Sequence, residues 1–310
     1  MRQGELVGQG KWTGTPGPGV GAPLPLILPD PLRRFSATAA RLARIAPGQP
    51  AEGWLRFVEQ LSRAQHQAAA DAGPCSAPDG TAVRGAVDQR LPPLAPPAFV
   101  LEPAWQGHLG QIAAHLRAAA LPEEARAVLE GLAQRTAQDT DRLAHSFLEG
   151  DVASDELGPA VFVAAALQVH FTRIAGSLQA QELRLLPRRG LCPCCGSTPV
   201  AGVVTAAGPT PGTRYLHCSL CSTAWNHVRA VCIRCGEAGK LSLRAIEDHS
   251  GFARAERCAN CQTYSKLFYE RDAPGLDPVA DDLGTLALDV LMGEDGWQRH
   301  APNPLFLIAG

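Results

Sequence analysis

The chain has 310 residues, with 28 Lys plus Arg against 30 Asp plus Glu, 45% hydrophobic residues and a mean hydropathy of −0.05. Such a length accommodates about two domains, and the net charge of −2 excludes a global field that would draw in nucleic acid or an anionic membrane. With 31 Gly and 26 Pro the chain is rich in turn formers, yet below the level of a disordered polypeptide.

Residues 1–29 carry the run GTPGPGVGAPLPLILP and read as a flexible Gly/Pro-rich arm. No apolar core of a secretory signal is read in residues 1–20. The adjacent Arg33 and Arg34 are followed by Ser36, Thr38, Arg41 and Arg44, so they read as the polar face of a helix, and a cytoplasmic protein is expected. Asp30-Pro31 has the form of an N-cap followed by Pro at the first helical position. Leu32, Phe35, Ala39 and Leu42 then recur at helical spacing. Trp54, Phe57, Val58 and Leu61 continue the pattern in a second helix, and residues 73–97 read as a loop. Trp105, Leu109, Ile112 and Leu116 give a third helix. Pro122-Glu123-Glu124 opens a fourth, with acids where the dipole favours them. Leu143 and Phe147 mark a fifth helix, and residues 159–178 a sixth, apolar on most faces and central. Residues 30–187 therefore read as an all-α domain. Its most apolar run, 157–169, is shorter than the ~20 residues a membrane span needs, so no membrane insertion is expected. His66, His108, His115, His145 and His170 are scattered, and no catalytic constellation emerges; the chain does not read as an enzyme.

The pattern changes after Pro187. Nine of the ten cysteines lie between 192 and 261, eight of them as four CxxC pairs: Cys192/Cys195, Cys218/Cys221, Cys232/Cys235 and Cys258/Cys261. Adding 40 to the first two pairs gives the last two, and Gly196 and Gly236 match under the same shift. The region is an internal duplication. Two cysteines two residues apart on a tight turn aim both sulfurs at one ion, and Gly after the second allows positive φ. Two such knuckles make a tetrahedral thiolate site for zinc or a single iron. The expectation is two metal ions per chain in four-cysteine sites, iron or zinc, paired sequentially within modules 188–231 and 232–272. Segments 199–204 with 213–217, and 241–246 with 255–257, are expected to form hairpins, with 225–231 and 265–269 adding a strand each. A unit of this size rarely folds on apolar burial alone, whereas a structural metal contributes roughly 10–16 kcal/mol. Cys194, inside the first knuckle, is expected to face away from the metal, and Cys75 sits in a Pro/Gly loop.

Residues 188–272 hold 11 basic and 6 acidic side chains. Residues 273–310, read as a C-terminal helix and tail, hold six acids and one Arg, which can satisfy the basic ribbons internally. No run of Lys and Arg tracks a groove, so nucleic acid is not expected as a partner. Asp277-Pro278 starts the helix, Leu283, Leu286, Ala287, Val290 and Leu291 keep its spacing, and Gly293 ends it. Asp281 and Asp282 fall in its first turn, where the dipole accounts for them.

The segments CPCCGSTPVAGVV, RYLHCSLCSTAWNHVRAVCIRCGEAGKL, AERCANCQTYSKLFYE and DPVADDLGTLALDVLMGEDGWQRHAPNPLFL resemble the FdhE family of formate dehydrogenase accessory proteins. RLARIAPGQPAEGWLRFVEQLSRAQ is similar too. The resemblance implies a multi-domain α+β, FdhE-like fold: an all-α N-terminal domain, two tandem rubredoxin-like (zinc-ribbon) modules and a C-terminal helix. It implies a non-enzymatic factor for assembly of respiratory molybdenum- or tungsten-containing formate dehydrogenase, binding the catalytic subunit before export by the twin-arginine route. The family's metal ligands carry over onto the eight CxxC cysteines, with iron among the implied ions. Cys194 departs from the apolar or small residue usual there. Two other function classes compete: a rubredoxin-like electron carrier or thiol-exchange protein, and a nucleic-acid-binding zinc ribbon. The oligomeric state is open, a homodimer included.

Overall fold

The computed structural model describes residues 22–306 apart from 74, 76–77, 96–102, 209 and 247–250. The arm expected over 1–29 lies mostly outside the described residues, but its end is built into the fold. Leu26–Ile27 form strand β1, and Leu26 is buried. Pro and Gly around this dipeptide masked a strand too short to show alternation.

Among the described residues seven helices follow: α1 (Pro31–Ile45), α2 (Glu52–Asp71), α3 (Gly80–Asp88), α4 (Ala104–Arg117), α5 (Glu123–Leu132), α6 (Ala137–Glu149) and α7 (Leu157–Ser177). The Asp30 carboxylate accepts the Leu32 backbone N–H at 3.0 Å, and Pro31 takes the first helical position. Helix α3 falls within the expected 73–97 loop. The Asp79 side chain caps it through the N–H groups of Thr81 and Ala82, and of its nine residues only Val83 is buried, so it carries almost no apolar period.

Helix α7 is the centre of this part. Every residue from 160 to 175 is buried except Arg173, and α2, α4, α5 and α6 pack around it. With its short 3-10 lead-in it runs Ser154–Ser177, long and apolar enough to cross a membrane, but 78% of its apolar window is buried inside the protein. It is a core helix that lost its periodicity because it is covered all round. His108 on α4 and His170 on α7 are both buried, with ring centres 6.0 Å apart.

Strands β2 (Pro199–Val204), β3 (Arg214–Cys218) and β4 (Ala224–Asn226) form the first meander, and β5 (Leu241–Arg244), β6 (Ala253–Cys258) and β7 (Thr263–Tyr269) the second. The two are not separate ribbons. Strand β2 pairs in parallel with β7 through Gly202↔Leu267, Val203↔Phe268 and Val204↔Tyr269. One sheet results, in the order β1-β4-β3-β2-β7-β6-β5, with β8 (Gln298–Arg299) also on β7. Gly202 lies at this junction, where a Cβ would stand 3.1 Å from both Arg214 Nε and Leu267 Cδ1.

The expected C-terminal helix is two helices, α8 (Pro278–Leu283) and α9 (Leu286–Glu294). They break at Gly284, where a Cβ would meet Ile45 Cδ1 at 2.7 Å. Helix α8 packs on both α1 and β2 and so joins the helical part to the sheet. Its carboxylates do far more than answer a dipole. Asp281 is buried and takes a bidentate Arg41 at 2.7–3.0 Å. Asp282 is fully buried with Lys266, 3.3 Å away, and also binds Arg299 and the Asn303 amide. Asp289 sits 2.5 Å from Lys266 Nζ. Burial of acid and base together, not helix position, explains these residues.

Candidate metal centres

Each meander opens from one knuckle and carries the other in the turn between its second and third strands. In the first, the Gly196 N–H donates to the Cys192 carbonyl at 2.9 Å with Gly196 at φ 78°. In the second, the Gly236 N–H donates to the Cys232 carbonyl at 3.0 Å with Gly236 at φ 76°. These turns place the sulfurs of Cys192, Cys195, Cys218 and Cys221 within 4.8 Å of one another, and likewise those of Cys232, Cys235, Cys258 and Cys261. Among the described residues no other group of His, Cys, Asp or Glu is gathered this way.

In the first group (site 1) the Sγ–Sγ distances are 3.5 Å for Cys192–Cys221 and 3.4 Å for Cys195–Cys218. In the second (site 2), Cys232–Cys261 and Cys235–Cys258 are both 3.7 Å apart. Four sulfurs about 2.3 Å from a tetrahedral ion have edges of about 3.8 Å. Both groups fit such an ion, and site 2 already has its dimensions.

The duplication runs deeper than the cysteines. Thr223 and Thr263 obey the same 40-residue shift, and each hydroxyl lies beside a sulfur, 3.2 Å from Cys221 and 3.1 Å from Cys261. Ser222 and Gln262 both adopt left-handed backbone, φ 61° and 54°, which closes each second knuckle. The threonine match was readable in the sequence; the strained pair was not, because Ser and Gln share no side-chain signal.

The two sites differ in their surroundings. All four cysteines of site 1 are buried and belong to the main apolar core with α7. Gln168 of α7 donates to the Ser219 carbonyl at 2.8 Å, while Thr172 of α7 and Arg34 of α1 both reach the Ser222 hydroxyl. Burial pushes the Cys192 and Cys218 thiols well above their usual range, so ionising them here requires a compensating cation. Two N–H groups, from Leu220 and Cys221, point at the Cys218 sulfur at 3.4 Å and would stabilise its thiolate.

Site 2 faces outward: Cys235 is exposed and Cys261 half-buried. Burial pushes the Cys232 thiol up to about 12. The slight desolvation of Cys235 raises its thiol, but the Glu237 backbone, the Asn260 amide and the thiols of Cys232 and Cys261 together hold it down at about 6. Burial also raises Cys221 at site 1, but the thiols gathered around it hold it well below the usual thiol range, so each site has one thiol that favours the thiolate.

Cys194 does not face away from the sulfurs of site 1. It is buried, its carbonyl accepts the Leu94 N–H at 2.8 Å, and its sulfur lies 3.3 Å from the Thr223 hydroxyl. Its thiol also reaches those of Cys192 and Cys221 directly, so it stands against site 1 without being one of the four gathered sulfurs.

A mainly helical body joined to a sheet that holds two all-cysteine centres, one buried and one exposed, defines a protein with two four-cysteine metal-binding groups. Residues 23–187, 191–229 and 230–306 match the families described as FdhE N-terminal, FdhE central domain and FdhE C-terminal domain. A protein named "Protein FdhE homolog" from Edwardsiella ictaluri is 39% identical over 287 residues, 92% of each chain. "Protein FdhE" of Escherichia coli is 33% identical over 290 residues, again 92% of each. The crystal structure of the FdhE protein from Pseudomonas aeruginosa superposes with a TM-score of 0.83 at 33% identity, covering 92% of this chain and 99% of that one. The chain belongs to the FdhE family.

Proposed function

We propose that this chain is a cytoplasmic accessory factor for the assembly of a respiratory formate dehydrogenase, binding the catalytic subunit before export and catalysing no reaction of its own. The observation that carries this reading is membership of the FdhE family along nine-tenths of the chain. In this reading a helical domain over 30–187 precedes two rubredoxin-like modules, 188–231 and 232–272, and 273–310 ties them together. The eight CxxC cysteines are the metal ligands. Four thiolates suit iron or zinc equally, and a bound ion would supply the positive charge that lets buried thiols ionise. Gln168, Thr172 and Arg34 hold site 1 against the helical body, while the outward-facing knuckles of site 2 remain available to a client.

The test is capture. Tagged full-length protein mixed with the formate dehydrogenase catalytic subunit in mild salt retains it; an absence of capture counts decisively against the accessory role. The exposure of Cys235 favours a second reading, electron transfer or thiol exchange at site 2. Metal content with a visible spectrum on anaerobically purified protein separates the two: reversible iron bands support the second, and about two zincs with a featureless spectrum remove electron transfer.

A further inference from the structure

The sequence places a net positive charge in 188–272 and a net negative one in 273–310, and mutual satisfaction is the simplest expectation. Among the described residues, only Lys266 of that basic region forms an ion pair with the tail's acids. Asp277 faces Arg34, Asp281 holds Arg41, and Asp282 and Asp289 share Lys266 and Arg299. Arginines left over collect on another face.

Arg84 and Arg90, in and just after α3, line one hollow of about 690 Å³ with Arg184 and Arg189 of the strap that leads from α7 to site 1. Arg188, next to Arg189 on the same strap, and Arg234, next to Ile233 inside the first knuckle of site 2, are both exposed and are brought together where Gly190 abuts Ile233. The strap is fixed in place. The Arg189 carbonyl accepts the Trp225 indole N–H at 2.8 Å, and Gly190 lies so close to Ile233 that a Cβ would fall 1.7 Å from its carbonyl oxygen. All six arginines are exposed, and among the described residues none has a carboxylate oxygen within 4.0 Å. Arg184 is steadied by the carbonyls of Gln181 and Leu183. Two acids, Asp88 and Glu182, also line the hollow, and Val87, Leu185 and Leu186 give it an apolar floor.

We infer that this arginine face, which runs from α3 across the strap to site 2, binds an acidic, partly apolar polypeptide segment. Exposed guanidiniums on a fixed backbone are suited to bidentate carboxylate recognition, and the aliphatic floor accepts apolar side chains between the acids. Nucleic acid fits less well, because no aromatic side chain lines the hollow to stack a base, and Asp88 and Glu182 would repel phosphate. On the accessory reading above, on which this step rests, the segment belongs to the formate dehydrogenase catalytic subunit, and docking it here places it against the outward-facing cysteines of site 2.

The test uses the full-length chain and a fluorescein-labelled peptide of alternating glutamate and leucine, read by anisotropy. Its glutamine counterpart and a single-stranded DNA of equal charge serve as comparisons. Wild type should bind the glutamate peptide, and more weakly as salt rises. Arg84→Glu/Arg188→Glu should weaken that binding by about tenfold or more, whereas Arg84→Lys/Arg188→Lys, which keeps the charge but loses the planar fork, should weaken it less than the charge reversal does. Far-UV circular dichroism and metal content show that each variant is folded. No peptide binding, equal binding by wild type and the charge-reversed variant, or DNA bound as tightly as the peptide would each overturn the inference. The same proteins are offered the catalytic subunit. Equal capture by wild type and Arg84→Glu/Arg188→Glu removes this face while leaving the accessory role standing. No capture by wild type removes the accessory role, and the peptide titration still decides the face.

Discussion

A chelator added in excess to the metal-loaded, full-length chain should remove its two ions at very different rates. Around site 2 the knuckle residues 234–240 are exposed together with the Cys235 sulfur, so the chelator reaches that ion in the folded protein. Around site 1 the chelator needs the 218–222 knuckle to lift off α7. Lifting it exposes the buried Leu220 side chain, worth about 2 kcal/mol. It also breaks the Gln168–Ser219 hydrogen bond and the Thr172 and Arg34 contacts to Ser222, at about 1 kcal/mol each. The opening therefore costs about 5 kcal/mol, and at 1.4 kcal/mol per factor of ten the slow ion leaves roughly four thousandfold later. A chromogenic chelator read against time should give two phases of equal amplitude. Cys235→Ser should remove the fast phase, and Gln168→Leu should accelerate only the slow one. A single phase, or a slow phase that belongs to site 2, would refute the reasoning.

Two further outcomes follow from the buried charges. Asp282→Ala leaves Lys266 and Arg299 with Asp289 as their one shared carboxylate, and so one buried positive charge uncompensated, which should cost about 3–5 kcal/mol in chemical denaturation; a loss below about 1 kcal/mol would mean that Asp289 alone satisfies both cations. His108 and His170 are held below the usual histidine range chiefly by burial, with Arg173 adding to it at both and His108 at His170, and His170 reaches about 4. Unfolded imidazoles titrate near ~6.5. Below that value the unfolded chain takes up protons that the native state refuses, so this stability is full above ~6.5 and is lost as pH falls toward 4. His170→Gln should flatten the decline of stability over that window relative to wild type, a comparison in which thiol protonation cancels. An unchanged slope would show that His170 already protonates in the native state.

What the sequence made legible was set by how local the determining physics is. The Asp30-Pro31 cap, the Leu and Phe spacing of α1, α2 and α4, and the knuckles of Cys192 to Cys261 are written within a few residues of one another. Strand β1 and helix α3 escaped because each buries one side chain, Leu26 or Val83, too few for a period. Pairing of β2 with β7 could not be read either, since nothing in GVV or LFY names its partner 65 residues away. Asp281 and Asp282 show the same limit from the charge side. A carboxylate in a first helical turn has a local explanation, and only the fold brings Arg41, Lys266 and Arg299 to it. The threonines at 223 and 263 were in plain view under the 40-residue shift, yet their place beside a sulfur depends on the left-handed Ser222 and Gln262.

The way the two meanders meet has a consequence for the molecule's behaviour among its own copies. The first strand of one repeat lies beside the last strand of the other, a head-to-tail join between like units, and such joins are inherently open-ended. The two outer borders of the pair, β4 at one side and β5 at the other, are by construction the complementary halves of another such join. Left bare, molecule after molecule could add on. Leu26 and Ile27 occupy the β4 border, and a short β5 preceded by Lys240 and ending in Arg244 discourages approach at the other. Two residues ahead of the first helix thus act as the stopper of a latent filament.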